Sequence, residues 1–156
     1  MTTFFRFLEV FALGTWLGAV IYLSFVVAPG AFGVLASRDQ AGALVGLVLG
    51  RLHVLGCIAG AVYLFAATAR ARSLGALIKP TALVVILMLA LTIVSQWGVT
   101  SRLASLRMQM GSVDSTPREN PLRVEFDRLH RLSVRLEGTV LLAGLVALFL
   151  TVRNQR

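Results

Sequence analysis

Four stretches of this chain carry no formal charge over lengths suited to crossing a membrane as helices: Val10–Ala28, Leu52–Ala69, Thr81–Val99 and Gly138–Val152. A hydrocarbon core of roughly 30 Å takes about 20 residues of helix at a rise of about 1.5 Å each. In lipid no water satisfies a stray backbone N–H or C=O, so each span must close its own hydrogen bonds, and only helices do that within one segment. A soluble fold of 156 residues has no room to hide this surface. The chain is 57% hydrophobic and 14% charged, against roughly a quarter charged in soluble domains. The expected fold is all-α: one integral membrane four-helix bundle with spans near 7–29, 44–69, 80–100 and 132–152 and a polar loop over 102–120.

The punctuation between the runs fits this division. Pro29-Gly30 is expected to end the first span, and that run is too long for a signal-peptide core and lacks a following Ala-x-Ala pattern, so it reads as a retained span. Ser37 and Gln40 have capping-box spacing at the start of the second helix. Arg70 and Arg72 close the second helix, and Lys79-Pro80 opens the third. Gly111, Ser112, Ser115, Thr116 and Pro117 mark the polar loop. Asn120-Pro121 is a helix start with a mechanism, because Asn caps orphan N–H groups and proline at the first position forfeits no bond. From there a single helix runs through a charged first half into the uncharged Gly138–Val152, so the last helix extends out of the membrane at its N-terminal end.

Four spans place both termini and the Arg70–Lys79 turn on one side. Of the fifteen Lys and Arg, that side holds Arg6, Arg70, Arg72, Lys79, Arg153 and Arg156, and the other side holds nine. A count of six against nine, with several of the nine inside a helix, leaves the orientation open. The net charge of +8 gathers at the ends of apolar runs, as headgroup anchors do, with no basic face interleaved with aromatics. The partner is therefore the lipid bilayer, and no nucleic acid is expected; a bacterial-type inner membrane is the expected location. Gly14 and Gly18 on the first helix, and Gly42, Gly46, Gly50, Gly56 and Gly60 on the second, are small residues that permit close backbone approach. They suit packing of these helices on each other, with a homo-oligomer face or docking onto other membrane subunits as the alternative.

The second and fourth helices run in the same direction, so their beginnings share a side. Arg51 and His53 open one, and His130, Arg135 and Glu137 open the other, while Ser95 and Gln96 approach from the third. Ionisable groups at membrane depth are expensive and mark functional sites. Two histidines at similar depth are candidates to ligate haem, and with Cys57, one turn below His53, to hold a soft metal such as copper. Met108 and Met110 in the loop could feed copper. The competing reading is interfacial hydrogen bonding by the histidines, a buried apolar role for Cys57, and a structural ion pair of Glu137 with Arg51 or Arg135. Glu125–Arg128 and Asp127–Arg131 have helical pair spacing. Glu9 is expected to snorkel or to pair with Arg6 or Arg153. No nucleophile elbow, phosphate loop, HExxH or CxxC occurs, which favours a non-catalytic protein.

Trp16-Leu17-Gly18, then Ser24-Phe-Val-Val-Ala-Pro29, Phe32, Leu35 and Ala41-Gly42, resemble the first-helix signature of transmembrane protein 205-like proteins. Phe126-x-x-Leu129-His130-x-x-Ser133 resembles the motif that opens the last helix of that family. The resemblance implies a four-span membrane domain without an established activity. It also implies a fold similar to copper-resistance D proteins and the four-helix bacterial protoporphyrinogen oxidase, hence metal, porphyrin or quinone chemistry as candidates. The sequence departs from the family pattern at Glu137, where an Asn is common. It also has no histidine in Val10–Ala28 to match the oxidase, so the oxidase's catalytic roles are not carried over.

Overall fold

The computed structural model describes residues 2–153; Arg156, counted above among the terminal-side cations, lies outside them. Four helices make up nearly all of the chain: α1 (Thr2–Val34), α2 (Arg38–Ala71), α3 (Pro80–Met110) and α4 (Pro121–Arg153). All four are long and apolar enough to cross a membrane. At 31 to 34 residues each they reach about 50 Å, well beyond a core of roughly 30 Å, so they must tilt, protrude or both.

Side-chain bonds between helices fix their directions. Glu9, early in α1, meets Arg70, late in α2, so these two are antiparallel. Asp39, early in α2, meets Ser112, just past α3, so α2 and α3 are antiparallel as well. His53 meets Glu137 and Tyr63 meets Thr151, so α2 and α4 run the same way. The bundle is up-down-up-down. Its core is built from Leu13, Trp16, Val20, Val85, Met88 and Val140, while Phe7, Phe11, Phe25, Phe65 and Phe149 stand exposed around it. An apolar girdle of that extent suits lipid and not water.

Two boundaries differ from the sequence expectation. The first helix does not stop at Pro29-Gly30 but continues to Val34 through a π-helical segment, Leu23–Val27. A proline inside a helix removes one bond and presses on the carbonyl four residues back, here at Phe25. A wider turn laid over that carbonyl accommodates the ring, so the breaker is absorbed. The segment 102–110, expected in the polar loop, is also helical. It is the end of α3, reached through a second π-helical segment, Val94–Thr100, and it stops only at Gly111, whose φ is 70°. Leu106 on this extension joins Val113 and Phe126 in a second small apolar cluster, which gives the extension a reason to stay helical outside lipid. The caps form at both expected places: Ser37 Oγ accepts from the Gln40 N–H at 3.2 Å and Asn120 Oδ1 from the Leu122 N–H at 2.9 Å.

The polar part of this second cluster ties three helices together. Asp39 accepts from the Ser112 hydroxyl at 2.6 Å and the Val113 N–H at 2.9 Å. Arg107 donates to the Asp39 carbonyl at 2.9 Å, and its guanidinium lies 5.5 Å from the centre of the Phe126 ring. The carboxylates of α4 choose other partners than their helical neighbours Arg128 and Arg131. Glu125 pairs with Arg102 of α3 and Asp127 with Arg123, because the extension of α3 brings Arg102 alongside α4.

Glycines serve the bundle unequally. A methyl added at Gly56 would lie 2.5 Å from Trp16 Nε1, one at Gly60 2.6 Å from Leu89, and one at Gly144 2.5 Å from Leu17; at Gly14, Gly18 and Gly46 it would meet open space. Only Gly56 therefore admits α1 directly onto α2. Gly60 and Gly42 instead seat Leu89 and Arg107 of α3, and Gly50 lies at ordinary contact distance from Gln96. Gly56→Ala should destabilise the detergent-solubilised protein by about 1–3 kcal/mol through overpacking against a rigid indole, whereas Gly18→Ala should be neutral or slightly stabilising; thermal unfolding of both variants checks this.

Asp39, beyond the uncharged part of α2, is held below the ordinary carboxylate range, chiefly by the Ser112 hydroxyl and further by the Val113 N–H and nearby Arg107. A carboxyl held low in the folded state contributes stability in full above its unfolded value near pH 4, and loses it as pH falls through the folded value. Amide exchange at Val113 and Ser115, corrected for the intrinsic pH dependence, should accelerate below about pH 4. In Asp39→Asn it should be fast already at neutral pH and show no acid transition.

Candidate functional site

The polar groups that topology directs to one end of the bundle form a definite cluster. His53 projects from α2 into the core, where its side chain is 1% exposed. Its Nε2 lies 2.6 Å from Glu137 Oε1 on α4 and its Nδ1 lies 2.7 Å from Gln96 Oε1 on α3. Ser95 Oγ reaches the same Glu137 oxygen at a longer 3.5 Å. Ser95 and Gln96 both belong to the π-helical segment Val94–Thr100, and π segments within α-helices recur at functional sites. Glu137 is 15% exposed, and no bond to its second oxygen occurs among the described residues. The cluster therefore has a dry half, the imidazole, and a half that opens outward, the carboxylate.

Three polar residues surround one imidazole for a physical reason. An imidazolium donates from both nitrogens, to the carboxylate and to an amide oxygen, whereas a neutral ring presents one donor and one acceptor. Gln96 can meet either state, since rotation of its amide by half a turn offers N–H in place of C=O. The arrangement can hold a proton as imidazolium and carboxylate, or as neutral ring and carboxylic acid, without orphaning a buried nitrogen.

The structure brings together His53, Gln96 and Glu137, together with Ser95, and does not bring in the remaining candidates. His130 is exposed, with its ring stacked on Phe126 at 6.3 Å. Seven residues of helix, about 10 Å of axis, separate it from the carboxylate that holds His53. Cys57 is a half-buried free thiol, and Arg51 and Arg135 are exposed. Neither arginine pairs with Glu137; the histidine takes it instead, because burial leaves His53 no water to bond. Met108 is exposed and Met110 packs in the small apolar cluster. Among the described residues no three His, Cys, Asp or Glu side chains gather as a metal would need. Trp16 is fully buried with its Nε1 unpartnered, and it packs at Gly56, one turn beyond His53.

A second polar group lies at the other end of the bundle, where sequence reasoning missed it. Glu9 is 4% exposed and takes a two-point contact from Arg70, at 2.7 and 3.3 Å. Tyr63 and Thr151 share a hydroxyl bond of 3.1 Å nearby. The antiparallel hairpin of α1 and α2 was the available signal, since it puts position 9 opposite position 70.

With this geometry in place, the comparison with known proteins decides the family. A domain of unknown function, DUF4149, matches residues 11–112. The chain belongs to the DUF4149 family. The match covers most of α1 and all of α2 and α3, so His53, Ser95 and Gln96 of this DUF4149 protein lie inside it, while Glu137 on α4 lies beyond it. No curated protein and no solved structure matches the chain.

Breaking a buried pair by removing one partner leaves a polar group without water or a mate, which typically costs about 3–5 kcal/mol. Glu137→Leu should therefore destabilise the bundle by an amount of that order. The double variant His53→Phe/Glu137→Leu should recover a large part of it. Chemical unfolding of the two single variants and the double variant in one detergent measures the coupling.

Proposed function

We propose that this DUF4149 protein is a proton-binding multi-pass membrane protein in which His53 and Glu137 form the proton-holding couple and Gln96 keeps both charge states of the ring satisfied. The observation that carries the reading is a fully buried histidine with both nitrogens engaged, one of them by a carboxylate that opens outward. Intramembrane ionisable pairs are expensive and recur in proton relays. Besides Glu137, the titratable neighbour of His53 on its own helix is Cys57; α3 presents Ser95 and Gln96, and α1 packs Trp16 at Gly56 one turn on, none of which is charged.

The haem or copper reading fits these residues poorly. Both nitrogens of His53 are committed to hydrogen bonds, and His130 sits two turns away on the outside, so no pair of axial ligands is assembled. Porphyrin or quinone redox chemistry rests on the resemblance to the copper-resistance D and protoporphyrinogen oxidase folds, and no residue here adds to it. We further propose kinship with transmembrane protein 205-like proteins, a bacterial-type inner membrane as the location, and both termini on one side of it, which the up-down-up-down order supports. A second reading, an accessory subunit docked on other membrane proteins or on its own copy, is favoured by one observation: Gly14 and Gly18 face outward with nothing against them.

The chain has only two histidines, which makes nitrogen-15 histidine labelling a direct test. In lipid nanodiscs the signals of the exposed His130 serve as the internal reference. Glu137→Gln should move the pH response of the His53 signals and leave the His130 signals unchanged. If His53 ignores Glu137→Gln, the couple does not exist and the reading fails.

A further inference from the structure

The end of the bundle opposite His53 holds a cavity of about 150 Å³, lined by Arg6, Glu9, Tyr63, Arg70, Lys79 and Thr81 among others. A single water needs roughly 10–15 Å³ on the same measure, so there is room for a small polar group with several oxygens. Three cations and one carboxylate face the space. The carboxylate, Glu9, is spent on Arg70, and its burial holds the guanidinium in one place. Neither Arg6 nor Lys79 meets an acid among the described residues. The remaining six of the seven acids of the chain, Asp39, Asp114, Glu119, Glu125, Asp127 and Glu137, belong to the opposite end. The cavity therefore carries an unbalanced charge of about two, by formal count of three cations against one carboxylate.

We infer that this cavity is a binding site for a phosphate-bearing anion, with Arg6, Arg70 and Lys79 as the charged contacts and the Thr81 hydroxyl as an added donor. Position selects the ligand class. The cations flank the uncharged runs, where headgroup phosphates lie, and basic pockets between membrane helices suit anionic headgroups. Arginine held by a carboxylate on one edge keeps N–H groups free on the other, in the planar geometry that phosphate oxygens accept. An ordinary positive flank has the charge but neither the cavity nor a buried carboxylate fixing one of its members. The site is independent of the His53 couple, from which α2 alone separates it by more than two turns.

The test uses the full chain in mild detergent, titrated with phosphatidylglycerol, with phosphatidylcholine and with inorganic phosphate, and followed by native mass spectrometry and calorimetry. The variant Arg6→Gln/Lys79→Gln removes two exposed cations without touching the Glu9–Arg70 pair, and Lys79→Gln alone is the milder form. Arg118→Gln/Arg128→Gln, at the opposite end, removes the same charge elsewhere. Phosphatidylglycerol should bind in preference to phosphatidylcholine and weaken about thirtyfold in the first double variant, the size expected from two basic groups acting on an anionic headgroup. It should weaken little in the opposite-end variant. Binding of inorganic phosphate, lost in the same variant while the lipid shows no preference, would identify a free phosphate as the ligand and keep the site. Equal losses in both double variants, or no loss in Arg6→Gln/Lys79→Gln and Lys79→Gln alike, would overturn the proposal.

Discussion

Hydrocarbon offers no hydrogen bonds, and the polar groups within the apolar runs of this bundle are placed by that fact. Glu137 begins the dry half of α4, His53 lies just inside the dry half of α2, and Gln96 closes the dry part of α3. Each would be an orphan alone. Together they form a three-helix junction in which the imidazole is the common partner, so the pair holds α2 and α4 together while serving as the candidate site. The same constraint acts at the opposite end, where Glu9 is tolerated at 4% exposure because Arg70 grips both its oxygens. Pairs of this kind contribute little net stability beyond an apolar replacement, yet they penalise every arrangement that separates the partners.

Apolar packing supplies what the pairs do not. Lipid tails are as apolar as leucine, so helices in a membrane gain from close fit and not from hiding surface. The fit here is asymmetric. Trp16 fills the space over Gly56, Leu89 that over Gly60, and Leu17 that over Gly144, each a large side chain set against a missing one. Outside lipid the rule reverses: Leu106, Val113 and Phe126 form a conventional buried cluster, sealed by Asp39, Arg107 and Arg123, the last of which donates to the Val113 carbonyl.

Much of this was legible in the residues. Uncharged runs gave the four helices, and Ser37 and Asn120 marked two starts through caps that the backbone uses. Parallel running of the second and fourth helices was enough to bring His53, Gln96 and Glu137 to one end. Where the reading diverged, the cause was a contact between elements distant in sequence. Pro29 looked like a stop because a widened turn ahead of it leaves no local trace. The segment 102–110 looked like loop because its support, Phe126, lies on another helix. Glu125 looked like a partner for Arg128 because helical spacing is visible in sequence and Arg102 across the bundle is not. Pairing His53 with His130 rested on similar depth, but seven residues along a helix amount to about 10 Å, and one histidine faces inward while the other stacks outside.

Two rungs join α2 to α4: His53 to Glu137, and Tyr63 to Thr151. They stand ten residues apart on α2 and fourteen on α4, about 15 Å against 21 Å of axis, so the two rungs do not share one register. Such a linkage behaves like a vernier. A piston-like slide of one helix past the other by a single turn would break both rungs at once. Motion that preserves both must be a tilt of α1 or α3 around a fixed α2–α4 frame, and α3 carries its wide π turn at the level of the first rung.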